Sequence, residues 1–533
     1  MPTPTASGSR VLLRNGRIYA PHAPGATAML TVGEQVAWVG DESTAATYVA
    51  DADDVRDLQG RLVTPGFVDA HVHLSQTGFT LGNLDLSEVR GLPEALSALA
   101  DFAQRTEGAV LFAHGWDESR WPEARTPTMA ELDQAVGDRV AYASRVDGHS
   151  AVVSSALVRR APQVRDADGW RGDGTVERDA HHLARSAIAG LRSEEDRESA
   201  IAAALHEAAR QGIVAVHEVN APHIAPASDL ELVRRVQARE SLPEVVGYWG
   251  ALFGAGVVGT ELEREVLGYA GDLSVDGSIG SHTARLRHRY EDAATCGHLY
   301  IDAQQVCEHV VFCTRSGAQA GFHVIGDGGA AAVVEGFAAA AEAVGVDALR
   351  AARHRLEHLE MVSPEQVAQL ARWGVVASVQ PMFDGLWGHP GQLYEQRLGA
   401  DRAAPMNPFA TLRRAGLTLA FGSDSPVTAM RPWEAVRAAV DHHNPDQRLA
   451  VEAAVEAHTR GGHAAARDDT AGILAAGAAA SYAVWRVPAE SAGRPADDGR
   501  EPAGGLPELA DGAPLPSCEL TVVRGRTAFD GLR

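Results

Sequence analysis

From residue 65 to about residue 470 the chain repeats one unit, a short apolar run followed by an Ala-rich amphipathic stretch. GIVAVHEV (212–219), GVVASVQP (374–381) and LTLAFGSD (417–424) have the length and apolar continuity of buried strands. GDGGAAAVVEGFAAAAEAV (326–344) reads as a helix. A buried strand must pair with neighbours while its helix covers the outer face, so this repetition implies a parallel α/β fold. The length fits a (β/α)8 TIM-like barrel with an insertion better than a doubly wound sheet. We place the barrel at 65–470 and the insertion after its first strand, at about 80–205. Residues 1–64 read as short strands with Gly-containing turns, one part of a small β module. In 471–533, a Pro-, Gly- and Asp-rich stretch at about 487–517 is expected to be a flexible loop. It ends in one more strand, CELTVVRGRTAF, which can return to the N-terminal module.

The strand ends carry the chemistry. In PGFVDAHVHL, His71 and His73 are two residues apart, so both side chains leave a strand on the same face. Two same-facing imidazoles can hold one divalent cation, with Zn, Fe, Ni and Cu all suited to nitrogen donors. His323 ends the apolar run AGFHVIGD, His358 follows the run RHRLEH, and Asp424 sits where LAFGSDSP turns. Four strand ends with metal-binding side chains are what the C-terminal rim of a barrel presents.

Composition removes several classes of enzyme. The chain has no lysine: all 47 basic residues are arginine, facing 70 acidic residues, for a formal net charge of −23. Schiff-base lysines, P-loop lysines and carboxylated lysines are therefore excluded. Strong acidity argues against nucleic acid or an anionic membrane as partner. Cys296, Cys307, Cys313 and Cys518 form no CxxC pair and suit reduced thiols. The N-terminal MPTPTASGSR lacks an apolar leader region, and no run approaches the ~18 apolar residues of a membrane span. We expect a cytoplasmic protein acting on a small molecule.

Taken together, VTPGFVDAHVH (63–73), AHGWDESRWPEARTPTMAELD (113–133), SRVDGHSAVVSSAL (144–157), VDGSIGSHTARL (275–286), HVIGD (323–327), LEH (356–358), SVQPMF (378–383) and FGSDSPV (421–427) resemble the amidohydrolase superfamily. Within it, the chain resembles the branch that includes N-substituted formamide deformylases. The resemblance covers nearly the whole chain. It implies a metal-dependent barrel, a β-sandwich built from both chain ends, and a homodimer. It also implies a metal site made by His71, His73, His323, His358 and Asp424, with zinc the default ion.

One departure bears on the metal. This branch usually carries a lysine before the DGS motif, which bridges two metals once carboxylated. Here GDLSVDGS places Asp272 at that position, and its shorter side chain is not expected to reach the bridge without a backbone shift. The favoured reading is one ion held by His71, His73, His323 and Asp424, with His358 near the bound water. The alternatives are two ions bridged by Asp272, Glu218 or Glu177, and a protein that has lost its metal. A second departure, Ala478 and Ser481 in place of a Lys and an Asp near the C-terminus, concerns only the sandwich.

The expected reaction is hydrolysis of a non-peptide C–N bond in a small amide, formamide or cyclic amide by metal-activated water. Asp424 would accept the water's proton, and His358 would stabilise the oxyanion. Trp116, His149, His282, Gln380 and Trp433 are the candidate substrate contacts. The doublets His181–His182 and His442–His443 read as surface residues. A single-metal deaminase of heteroaromatic amines and a non-catalytic assembly protein are the competing readings.

Overall fold

A computed structural model describes residues 8–106, 110–491, 505–510 and 512–532. Eight strands form one all-parallel sheet: β1 (Phe67–Val72), β2 (Ile213–Asn220), β3 (Glu244–Trp249), β4 (Gly268–Tyr269), β5 (Gln319–Val324), β6 (Arg355–His358), β7 (Val376–Val379) and β8 (Thr418–Phe421). Each pairs with its neighbours in sequence, and a parallel bridge between Val72 and Ser425 joins the first strand to the turn after the last. Consecutive strands pair in parallel because a helix returns the chain outside the sheet. Phe322 of β5, for example, packs on Phe337 of the helix Asp327–Val344, with ring centroids 6.5 Å apart.

Every residue of β1, β2, β5 and β6 is buried, as expected for strands covered on both faces. The inner face is not purely apolar. Arg355 of β6 has no solvent exposure and fills the barrel interior. A Cβ on Gly321 of β5 would lie 2.7 Å from its side chain, so the neighbouring strand leaves room for the guanidinium.

The chain ends build two further sheets. Gln35–Gly40, Ala28–Val32, Arg10–Arg14 and Asp54–Asp57 form one. Arg17–Ile18, Leu62–Pro65, Tyr482–Arg486, Ser517–Val523 and Arg526–Asp530 form the other. Leu13, Met29 and Val36 of the first share a core with Val63, Val484 and Leu520 of the second. The return of the C-terminal strand is therefore a direct pairing of Tyr482–Arg486 with Leu62–Pro65.

Two expected boundaries shift. The inserted sheet runs from Leu84–Asp85 to Thr175–Glu177, followed by the helix Arg178–Ala189. The next helix, Glu194–Arg210, begins inside the range assigned to the insertion, yet Ile201, Ala204, Leu205 and Ala208 pack in the barrel core. It presses on the helix Leu74–Leu81 so closely that a Cβ on Gly78 would sit 1.8 Å from the Ala200 carbonyl oxygen. The helices Arg178–Ala189 and Glu194–Arg210 are both Ala-rich, and composition does not tell them apart. The expected flexible loop at 487–517 falls partly on 492–504 and 511, outside the described residues. Its described flanks are packed: Ser491 is buried and its Oγ donates to the Pro514 carbonyl at 2.5 Å, while Leu506 and Leu509 join the barrel core. Among the described residues no single helix is long and apolar enough to cross a membrane.

His458 ties this core together. Its Nδ1 lies 2.8 Å from the Val68 carbonyl oxygen and its ring meets Phe67 edge-on. Burial pushes its pKa down to about 4, whereas an unfolded histidine titrates near 6.5. Between those values the unfolded chain binds more protons, so the folded state loses stability as pH falls through that window. The stability advantage of the wild type over His458→Asn should shrink by about 2 kcal/mol between pH 7 and pH 5. Urea unfolding of both proteins at the two pH values measures it; a constant gap would contradict the burial of a neutral imidazole.

Candidate metal centre

The C-terminal ends of β1, β5, β6 and β8 converge with the segment after β4. The Nε2 of His71 lies 3.3 Å from Asp424 Oδ1 and 3.5 Å from Asp272 Oδ1. The Nε2 of His73 lies 3.1 Å from Asp424 Oδ1 and 3.3 Å from Asp272 Oδ2. His323 Nδ1 stands 3.7 Å from Asp272 Oδ1, and the His323 and His358 rings are 4.4 Å apart. Two donors each about 2.1 Å from a shared ion at tetrahedral angles lie about 3.4 Å apart, close to these spacings. Three overlapping groups have donor atoms within 4.8 Å of one another: His71, His73 and Asp272; His71, His358 and Asp424; and Asp272, His323 and His358.

The donors also have the right chemistry. His71 Nε2, His73 Nδ1 and His358 Nε2 are buried without a hydrogen-bond partner among the described residues, which is costly unless something else satisfies them. Burial opposes charge on His71 and His323, yet the surrounding carboxylates outweigh it and hold both pKa values above the ordinary histidine value. Asp424 and Asp272 are held below the usual carboxylate range, their burial overcome by the facing histidines. A cluster this rich in carboxylate draws positive charge, and the residues present fit a divalent ion.

Local backbone geometry delivers each donor. His358 and Leu359 take positive φ values of 70° and 49°, turning the end of β6 so that His358 joins the cluster. Asp424 does the same at φ 56°, with its N–H donating to the His71 carbonyl at 2.8 Å. The chain after β4 leaves the sheet: Gly271 takes φ 90° against Val219, and pairing resumes only as a bridge between Ser274 and His323. This detour carries the short Asp272 side chain into the cluster, supplying the backbone displacement that its length demands. The other carboxylates weighed as bridges are elsewhere engaged. Glu218 accepts the Leu74 N–H at 2.6 Å, and Glu177 pairs with Arg171 at 2.7 Å.

A supporting layer escaped the sequence reading. Glu357 Oε2 lies 2.8 Å from His71 Nδ1, and Arg355 grips Glu357 through contacts of 2.5 and 3.0 Å. Fully buried, Glu357 is nonetheless held far below the usual carboxylate range by Arg355 and His71. It accepts the His71 Nδ1–H and so leaves Nε2 free to bind an ion. Asp69 accepts the Ser423 N–H at 2.8 Å, fastening β1 to the turn that bears Asp424. Asp276 accepts the N–H groups of Ile325, Gly326 and Arg285 at 2.8–2.9 Å, fixing the turn after β5. These roles explain the first Asp of VDAHVH and the Asp of DGS. Period-2 spacing from His71 was the available signal for Asp69, and the two charged residues at period 2 within the strand-like run RLEH were the signal for Arg355 and Glu357.

The five residues expected to contact substrate divide. His149 lines the cavity above the cluster, its ring 5.0 Å from His323, and burial pushes its pKa down to about 4. It is held by Asp147, which receives the His149 N–H, an Arg145 N–H and the hydroxyls of Ser278 and Ser281. Gln380 instead accepts the Nδ1–H of His358 at 2.8 Å and orients that ring. Trp116 is wholly buried in the insertion, its Nε1–H donating to the Ala143 carbonyl. Trp433 packs edge-on against Phe67 and Trp485, at the opposite end of β1 from His71. His282 lies outside the lining of the cavity and bonds Asp292 at 2.9 Å. Neither doublet is a surface pair. His181 is buried with Nε2 2.6 Å from Tyr142 Oη, and His182 lines the cavity, because the helix Arg178–Ala189 lies over the barrel mouth. His442 and His443 flank Asp384, where their nitrogens are used by neighbouring backbone groups, a structural knot.

The cavity has two chambers that meet at His149, His323 and Asp424. The larger extends under the insertion past Tyr142 and His182. The smaller is largely apolar, walled by Ile279, Phe383, Trp387, Leu393 and Tyr394, with Ser278 and Glu360 also in its lining.

Known proteins give the architecture a context. The amidohydrolase family matches residues 54–529. Protein LONG AFTER FAR-RED 3 of Arabidopsis thaliana is 25% identical over 514 residues, covering 89% of this chain and 86% of its own. N-substituted formamide deformylase of Arthrobacter pascens is 23% identical, covering 86% and 90%. The crystal structure of an uncharacterized metal-dependent hydrolase from Pyrococcus furiosus superposes with a TM-score of 0.70 at 25% identity, over 89% of this chain and 98% of that one. The barrel, the rim of histidines and carboxylates, and this match over most of the sequence place the chain in the amidohydrolase family, as a metal-dependent hydrolase.

Proposed function

We propose that the protein hydrolyses a non-peptide C–N bond in a small amide or formamide, with Asp424 as the proton carrier. The observation that carries this reading is the Asp424 carboxylate, 3.1 and 3.3 Å from two histidine donors and open to both chambers. The formamide deformylase similarity supports the bond type. A divalent ion held by His71, His73, Asp272 and Asp424 would polarise the carbonyl and lower the pKa of water towards 7. Asp424 takes the proton from the attacking water and gives it to the leaving nitrogen, so that C–O forms, C–N breaks, and an acid and an amine leave. His149, neutral at pH 7, supplies an N–H to the carbonyl oxygen as charge develops. His358, kept in one orientation by Gln380, is a metal ligand in this reading.

The shared position of Asp272 favours two ions over the single ion read from the sequence. His323 and His358 with Asp272 form a second donor group beside His71, His73 and Asp424, and zinc suits both. Metal analysis of protein purified without chelator should give near two equivalents, and near one for Asp272→Ala. One equivalent in both proteins would return the site to a single ion.

Asp424→Asn should lower kcat by about 10²–10⁴-fold on any amide the wild type turns over, with the fold intact by circular dichroism. Unchanged turnover would remove the proton-carrier role. Release of ammonia from heteroaromatic amines, with no amide cleaved, would redirect the reading to deamination. Glu357→Gln should weaken metal affinity by about 10–100-fold in a chelator competition while preserving the barrel.

A further inference from the structure

The larger chamber is lined by two arginines, Arg185 and Arg192, that make no ion pair among the described residues. Acidic residues outnumber arginines 70 to 47, so an arginine within the fold ordinarily finds a carboxylate. Arg197 in the same wall pairs with Asp229 at 2.7 Å. Arg192 makes no such ion pair among the described residues, and Asp196 acts on it only through space. Its guanidinium is clamped between Phe79 and Phe112, 4.2 Å from each ring centroid, and its Nε is buried with no hydrogen-bond partner. Arg185, on the helix Arg178–Ala189, lines the same chamber and has no ion pair or hydrogen bond among the described residues.

His182 and His223 connect these arginines to the metal centre. Their rings lie 4.4 Å apart in the chamber wall. Burial, reinforced by Arg185, pushes the His182 pKa down to about 4, while Asp179 and, less strongly, Asp272 pull it the other way. His223 also feels Arg185 and Asp272. Neutral imidazoles thus separate a cationic end of the chamber from the carboxylates of the centre. Two ring-clamped or unpaired guanidiniums facing a cavity are preorganised for a planar anion.

We propose that the substrate carries a carboxylate at the end remote from the cleaved bond, bound by Arg185 and Arg192, so that N-acyl and N-formyl amino carboxylates are hydrolysed in preference to neutral amides. The proposal rests on the amide-hydrolase reading of the metal centre and specifies its substrate class. The apolar chamber then receives the other arm of the substrate.

The test compares ω-(formylamino)- and ω-(acetylamino)alkanoates of two to eight carbons with the matching ω-hydroxyalkyl amides, on zinc-loaded enzyme. At the best length the carboxylate should exceed the alcohol in kcat/KM by about 100-fold, an advantage that shrinks with added KCl. Arg185→Gln and Arg192→Met should each raise KM for the carboxylate by about tenfold or more, and collapse the carboxylate-to-alcohol ratio towards unity. Methionine keeps an apolar filler between the two phenyl rings. Equal turnover of the two series by wild type, or an undiminished ratio in both variants, would overturn the proposal and leave amide hydrolysis standing. Should neither series be cleaved, calorimetric binding of the same compounds decides. Carboxylate-selective binding that both variants lose would sustain the anion site while the hydrolytic reading falls, and binding without selectivity would overturn it.

Discussion

A charged group inside a barrel must be fully paired or it destabilises the fold. Arg355 meets that condition. Its guanidinium bonds Glu357 on its own strand, the Ala70 carbonyl of β1, His217 of β2 and Ser378 of β7, and lies 4.4 Å from the Tyr248 ring of β3. One side chain therefore sets the spacing of four other strands beneath the rim. Glu357 passes that constraint upward to His71, so the donor at the base of the cluster is positioned by the barrel interior and not by a mobile loop.

The absence of lysine acquires structural meaning at Asp272. A carboxylated lysine reaches the centre from a regular strand, whereas an aspartate is too short to do so. The strand is only Gly268–Tyr269 long, and the chain bends at Gly271 to bring Asp272 inward. Backbone departure replaces side-chain length. The resulting crowding of Asp272, Asp424 and Glu357 is balanced by four histidines, which is why His71 favours its charged form despite full burial.

Much of this was legible because strand periodicity is simple. Asp69, His71 and His73 share a face by alternation alone, and the apolar runs ending in His323 and Asp424 announced rim positions. His358 was legible as a strand-end histidine, but the face it takes was not. Alternation puts Arg355 and Glu357 inside and His358 on the opposite face, and it takes two successive positive φ angles to turn it back. Trp116 and Trp433 line no part of the cavity: an aromatic ring beside a site motif packs a core as readily as it meets a substrate. The doublet His181–His182 carried no sign of burial, since its polar helix is covered by the barrel mouth and not by its own sheet. The insertion's end was misplaced for a related reason: an Ala-rich helix does not declare which of two cores it enters.

The division of labour follows the order of the chain. Donors to the ion come from strand ends spread between residues 71 and 424, whereas Arg185, His182, Tyr142 and His149 come from one contiguous stretch between β1 and β2. That stretch has its own sheet and its own apolar clusters. Apart from His149, its cavity-lining residues can change without touching the barrel rim that holds the metal cluster. The far wall of the larger chamber is thus separable, in sequence and in packing, from the rim it covers.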